Sequence, residues 1–269
     1  MSRQVSIIAV TSLALEASIA RGPRISVLCS QIFELGAALR VAIARGVSGI
    51  ISFGIAGGLA PYLVAGDWVV ASGVRNNTDV IATDHLWSQR LLERLPDAVH
   101  AQVVGVKILR LDPLEKFRLY NETGAAAVDM ESDIAAKIAG ESRIPFAACR
   151  VIIDAAHRTL PPAATVGLRP NGTSDVLATF LSVWQNPSQL PDLLRTAFDA
   201  RITQRALRLG RKQLGEGLGF PYCISSDLER PALGLATESD SLNDVILEAK
   251  PKRRCRPTRK RRRLSYVMS

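Results

Sequence analysis

Short apolar runs separated by stretches of helical period organise the sequence up to residue 214. Residues 5–10, 25–29, 49–53, 68–71, 103–109, 125–128 and 146–153 read as strands. Several are apolar throughout rather than alternating, the pattern of strands covered on both faces. Between them, residues 33–45, 84–95, 114–122 and 132–141 have the spacing of amphipathic helices. Two further helices are predicted at 174–184 and 190–214, the first opened by the turn-forming NGTS at 171–174. This alternation predicts an α/β fold, a single three-layer domain on a mostly parallel mixed sheet. After 214 no period is sustained, so 1–214 reads as the folded domain and 215–269 as a low-structure, largely disordered extension.

Composition changes this picture in one place. The formal net charge is +9, but the segment 250–263, KPKRRCRPTRKRRR, holds ten of the 34 Lys and Arg and no acid. Removing those ten leaves 24 basic against 25 acidic residues, so the folded part is close to neutral and the basicity belongs to a disordered basic C-terminal tail. Such a tail suits an anionic membrane surface, nonspecific contact with nucleic acid, or no partner at all. The four cysteines form no CxxC pair, which points to reduced thiols in a cytoplasmic protein and away from a zinc site. With three histidines, a multi-histidine metal centre is not predicted. The run VSIIAVTSLAL after Arg3 and Gln4 resembles the apolar part of a signal peptide. Glu16 follows at once without an A-x-A site, and a buried first strand gives the same pattern.

Three segments carry chemistry. Gly54, Ile55, Ala56, Gly57 and Gly58 follow the strand 49–53, where ligands of open α/β sheets lie. Glycines there let backbone approach a ligand, although a tight connection has the same composition. The segment is not a GxGxxG, and no phosphate-binding GxxxxGK[ST] is present. Next, Val128-Asp129-Met130-Glu131-Ser132 stands where a strand runs into a helix. Its acids read either as helix caps or as a carboxylate binding two vicinal hydroxyls of a ribose, with the thioether against the sugar. Finally, Asp154 ends the run 146–153. It reads as a turn-forming side chain or as a general acid whose proton is retained by burial.

In this order and spacing, SFGIAGGLAPYLVAGDWVVAS, GAAAVDMESDIAAKIA and FAACRVIIDAAHRTLPPAA resemble the nucleoside phosphorylase and nucleosidase superfamily, and LRPNGTSDVL extends the likeness to residues 1–212. Among its members the chain resembles the methylthioadenosine/S-adenosylhomocysteine nucleosidases. Through ALEASIAR and DAAHRTLPPAA it resembles still more the hopanoid-associated phosphorylases, which process adenosylhopane. The resemblance implies a nucleoside phosphorylase-type domain that releases adenine from a lipophilic 5′-substituted adenosine, with inorganic phosphate as co-substrate and no other cofactor. Asp154 would protonate N7 of the purine, Glu131 would bind the ribose hydroxyls and Met130 would pack on the sugar. Gly54, Ala56 and Gly57 would line base and ribose, and Glu16 would position an attacking water in a hydrolytic relative. Arg21, Ser30 and Arg40 are the candidates for binding phosphate. The resemblance also implies a homo-oligomer. The lipid substrate suggests peripheral membrane contact through 250–263, without specific nucleic-acid binding. Two positions depart from the family pattern: Ile153 stands where Ser is common, and His157 where Asp is common. They keep open a non-catalytic nucleoside-binding module beside the phosphorylase and the hydrolytic nucleosidase.

Overall fold

A computed structural model of the chain describes residues 6–29, 32–76, 79–107, 112–158 and 190–221. The strands are β1 (Ile7–Thr11), β2 (Ile25–Cys29), β3 (Gly49–Gly58), β4 (Trp68–Arg75), β5 (Val80–Ala82), β6 (Val99–Gly105), β7 (Ala127–Asp129) and β8 (Phe146–Asp154). The helices are α1 (Ala14–Ala20), α2 (Ile32–Ala44), α3 (His85–Arg94), α4 (Pro113–Thr123), α5 (Ser132–Glu141) and α6 (Leu190–Leu214).

The eight strands form one mixed sheet, with five parallel pairings and three antiparallel ones among the described residues. Its order is β2-β1-β3-β7-β6-β4-β5, and β8 pairs with both β3 and β4. The path β3-β8-β4-β6-β7 therefore returns to β3 and closes a five-stranded ring, which leaves these strands without an open edge. Successive side chains of each strand point to opposite faces. Ile8 and Val10 of β1 join a core with Leu35 and Leu39 of α2 and Ala135, Ala136 and Ala139 of α5. Ile7 and Ala9 join another with Trp87 and Leu91 of α3 and Leu207 of α6. Helices on both faces of the sheet make the three layers that the alternating pattern predicts. Among the described residues, no helix is long and apolar enough to cross a membrane.

The structure corrects several boundaries. The glycine-rich stretch predicted as a loop is the second half of β3, which runs unbroken to Gly58. Its glycines answer to close approach rather than to a turn. A Cβ on Gly57 would come within 3.2 Å of Val128 of β7, and one on Gly58 within 3.0 Å of the Asp154 carbonyl oxygen. Helix α1 and the short β5 are not predicted, and β6 starts four residues before its expected position. The expected helix at 174–184 lies outside the described residues, as do Ser30 and everything beyond Pro221.

Packing also continues past Leu214, the expected end of the domain. Leu218 and Phe220 are buried, Trp87 Nε1 donates to the Leu218 carbonyl at 2.8 Å, and the Phe220 ring meets the Trp87 indole edge-on at 4.8 Å. Gly49 makes room for both rings, since a Cβ there would fall 2.6 Å from Phe220 and 2.9 Å from Trp87. Deleting a buried phenyl ring typically destabilises by about 3–5 kcal/mol. Phe220→Ala is therefore expected to lower unfolding stability by about that amount in urea denaturation. A loss below about 1 kcal/mol would mean that 215–221 does not belong to the folded unit.

Candidate active site

The carboxyl end of β3 is flanked by two strands that bring acids to it. Gly57 pairs with Asp154 of β8 on one side and with Val128 of β7 on the other. Asp129 and Glu131 follow Val128, where β7 passes into α5. Glu16 reaches the same strand from α1. The sequence candidates Glu16, Gly54, Gly57, Glu131 and Asp154 are thus gathered around β3; Ala56 is a buried residue of that strand, and Met130 is a half-buried neighbour of Glu131.

The two acids of the DMES segment divide the roles that the sequence leaves open. Asp129 is the cap: its Oδ1 accepts the Ser132 amide at 3.0 Å and its Oδ2 accepts the Ser132 hydroxyl. Glu131 does not cap α5. Its Oε2 instead accepts from Arg150 Nη2 at 3.2 Å. Arg150 sits in the middle of β8 with no solvent exposure, a position that sequence reasoning passes over as part of an apolar strand. Its Nε lies 2.7 Å from Asp129 Oδ2, and its Nη2 also donates to the hydroxyls of Ser52 and Ser132. Its Nη1 is buried without a hydrogen-bond acceptor among the described residues.

Glu16 is equally buried and fully engaged. Its Oε2 accepts the amides of Ser12 and Leu13, both at 2.9 Å, and the Ser12 hydroxyl at 3.2 Å. Its Oε1 accepts the Ile55 amide at 2.7 Å, which fastens the β1–α1 turn to β3. Gly54 permits this approach, because a Cβ there would stand 2.5 Å from Glu16 Oε1 and 2.9 Å from Arg150 Nη1. Burial, with help from the charges of Asp129 and Glu16, pushes the Glu131 carboxyl up to about 7 against the pull of Arg150. Burial also raises Asp154, and the ammonium of Lys116 on its Oδ2 opposes that rise. Lys116 comes from α4, and nothing in the sequence period sets it apart from an ordinary helix lysine.

Of the phosphate candidates, Ser30 lies outside the described residues, and Arg21 and Arg40 are surface residues. A helix that follows a strand starts near the strand's carboxyl end and runs back along the sheet, so the later turns of α2 lie away from the acids. Arg40 there is exposed and paired with Glu141 at 2.7 Å. Arg21 follows the end of α1 and is exposed; its carbonyl accepts from Arg211 of α6. Among the described residues the two buried cations, Arg150 and Lys116, are both bound to carboxylates. A surface hollow of about 340 Å³ lined by Thr83, Arg143 and Phe146 lies at the amino end of β8 and contains none of the groups around Gly57.

Removing one partner of a buried ion pair typically costs about 3–5 kcal/mol, because the other charge is left unpaired. Arg150→Met is expected to lose about that much stability. The direction with pH follows from Glu131, whose folded value near 7 lies above its ordinary 4.5. The folded chain holds that proton more tightly than the unfolded chain, so stability falls as pH rises through this window. Without Arg150 the folded value rises further, and the deficit is expected to be larger at alkaline than at acidic pH. Urea denaturation at both ends of the range measures this; a deficit independent of pH would separate Arg150 from the carboxylates.

Solved structures share this fold. Futalosine hydrolase of Helicobacter pylori superimposes with a TM-score of 0.56 at 13% identity, over 80% of this chain and 97% of its own. The 5′-methylthioadenosine/S-adenosylhomocysteine nucleosidase of Campylobacter jejuni gives 0.55 at 12% identity, over 78% and 96%. The corresponding enzyme of Colwellia psychrerythraea, solved in complex with adenine, gives 0.52 at 16% identity, over 57% and 84%. No curated protein matches the chain in sequence. A family model does: the one described as the phosphorylase superfamily matches residues 24–167, a span that runs from β2 through the acids of β7 and β8. Covering over half of the 269 residues, that match and the ring of strands around Gly57 make the chain a member of the phosphorylase superfamily.

Proposed function

We propose that this protein releases adenine from a nucleoside by hydrolysis of the N-glycosidic bond. The observation that carries the reading is the convergence of two acids on the end of β3: Asp154, for the base, pairs with Gly57 on one side, and Glu131, for the sugar, follows Val128, its partner on the other. In the step, the C1′–N9 bond breaks and its electron pair leaves with the purine. Asp154 delivers its proton to N7, so the base departs neutral. Water forms the new bond to C1′ and loses a proton to the Glu16–Glu131 carboxylate cluster. Positive charge on the ribose ring in the transition state is complemented by the same carboxylates. Water is favoured over phosphate because the described cations near the site are already bound to acids, and because the structural neighbours are described as hydrolases or nucleosidases.

A second reading keeps phosphate as acceptor and a large apolar 5′ substituent, as in adenosylhopane. It draws on the resemblance of ALEASIAR and DAAHRTLPPAA, and on exposed Leu114 and Phe117 of α4, the helix that carries Lys116. Membrane contact through residues 250–263 and assembly into a homo-oligomer belong with that reading. A clear preference for adenosylhopane over methylthioadenosine in competition would favour it.

Asp154→Asn removes the proton that activates the leaving group, a contribution typically worth about 10²–10⁴-fold. Turnover of methylthioadenosine is expected to fall by at least that lower figure with the fold intact by circular dichroism. A variant that keeps more than about a tenth of the wild-type kcat would refute the assignment.

Glu131 must be ionised to accept from both ribose hydroxyls. With its carboxyl near 7, kcat/KM is expected to fall as pH drops through that value. Glu131→Gln is expected to abolish this acid limb. It should also weaken ribosides relative to 2′-deoxyribosides by about 10–150-fold, the worth of a charged hydrogen bond. An acid limb that survives the substitution would belong to another group.

A further inference from the structure

Helix α4 buries a lysine on its core-facing side. Leu119 and Tyr120 pack against the core, Leu114 and Phe117 are 56% and 60% exposed, and Lys116 is buried at 2%. The helix start is firmly set: Asp112 accepts the Glu115 amide at 2.8 Å, Glu115 accepts the Asp112 amide at 2.9 Å, and Pro113 occupies the first turn. Lysine is rarely buried unless its charge is paired and its donors are filled. Lys116 meets both conditions, because its Nζ donates to Asp154 Oδ2, to the Ala155 carbonyl at 3.1 Å and to the Arg158 carbonyl at 2.9 Å. Three donors find three acceptors, all within the exit of β8. The other oxygen, Oδ1, points at β3, where a Cβ added to Gly57 would stand 3.3 Å away.

We propose that Lys116 is a positioning residue for Asp154: it holds Oδ2 and so assigns the acid's proton to Oδ1, the oxygen beside Gly57. The inference rests on the nucleosidase reading above for its consequence, and on the geometry alone for the pairing. An ammonium has donors and no lone pair to accept with, so the oxygen it binds must act as an acceptor. A proton on Oδ2 would face another donor. When Asp154 is protonated, the proton therefore sits on Oδ1, and the carboxyl cannot rotate to exchange its two oxygens without breaking the bond to Lys116. The base then meets a donor fixed in direction as well as in kind. The charge matters too. Burial alone would drive Asp154 toward a permanently neutral acid that gives up its proton poorly, and Lys116 opposes that drive. Among the described residues, Asp199 of α6 also pushes Asp154 upward, and Arg158 is ion-paired with Asp199.

The test compares the full-length wild type with Lys116→Met, which keeps the length of the buried stem without the charge. Lys116→Gln, which keeps two donors for the carbonyls, serves if the Met variant does not fold. The carboxyl carbon of Asp154 is titrated by NMR, its resonance assigned by Asp154→Asn, and kcat and KM for methylthioadenosine are followed against pH. The midpoint of Asp154 is expected to rise by about one unit or more. The kcat is expected to fall about tenfold or more with KM changed less than about threefold, and the alkaline limb of kcat should move up with the midpoint. A midpoint unchanged from wild type overturns the proposal, and so does a kcat within about threefold of wild type. If the wild type releases no adenine from any nucleoside, the nucleosidase reading fails by itself, and the titration midpoint alone decides whether Lys116 controls Asp154.

Discussion

The buried guanidinium of Arg150 is the interaction around which the centre of this fold is arranged. Asp129 and Glu131 enter the interior from the β7–α5 junction, and neither charge is tolerable there without a counter-charge. Arg150 supplies it from the middle of β8, with its fork spread across Asp129, Glu131, Ser52 and Ser132. Such a network adds little net stability compared with a well-packed apolar core, but losing one member is expensive. What it supplies is position. With Asp129 tied to both Arg150 and the first turn of α5, Glu131 is held in one orientation beside β3.

The ring of strands explains why the acids converge. In an open sheet, β7 and β8 would have an edge between them and β3; here both pair with the end of β3, and Gly57 lies between them. That close approach excludes side chains, which accounts for a strand that carries three glycines in its last five residues. Glu16, pulled in from α1 through the Ile55 amide, then closes the far side of Gly54 against Arg150.

Much of this is legible in the sequence, and the exceptions have physical causes. The long apolar strands, the acid after an apolar run at Asp154 and the acids at a helix start near Glu131 all follow from local pattern. The glycines of β3 read as a loop because glycine is common in loops; only the pairing of β7 and β8 on one strand reveals the second reason for it. Arg150 does carry a signal, a single charge inside FAACRVII, which a buried strand tolerates only if it is paired. Lys116 carries none, since a lysine among Leu114, Phe117 and Leu119 looks like the solvated face of a helix. Arg21 and Arg40 are candidates by location alone, and the structure leaves both on the surface, Arg40 paired with Glu141. The pattern ends the domain at Leu214 because GEGLGF lacks a period, whereas what extends it is two side chains, Leu218 and Phe220, against Trp87.

What accepts the sugar separates hydrolysis from phosphorolysis. The direct measurement is adenine release from methylthioadenosine by the purified full-length protein, with and without inorganic phosphate, with the sugar product followed by phosphorus NMR. The arrangement of Arg150 and Lys116, both bound to carboxylates, predicts the same rate in either buffer and a sugar free of phosphate. Release that requires phosphate and yields a sugar 1-phosphate would contradict it.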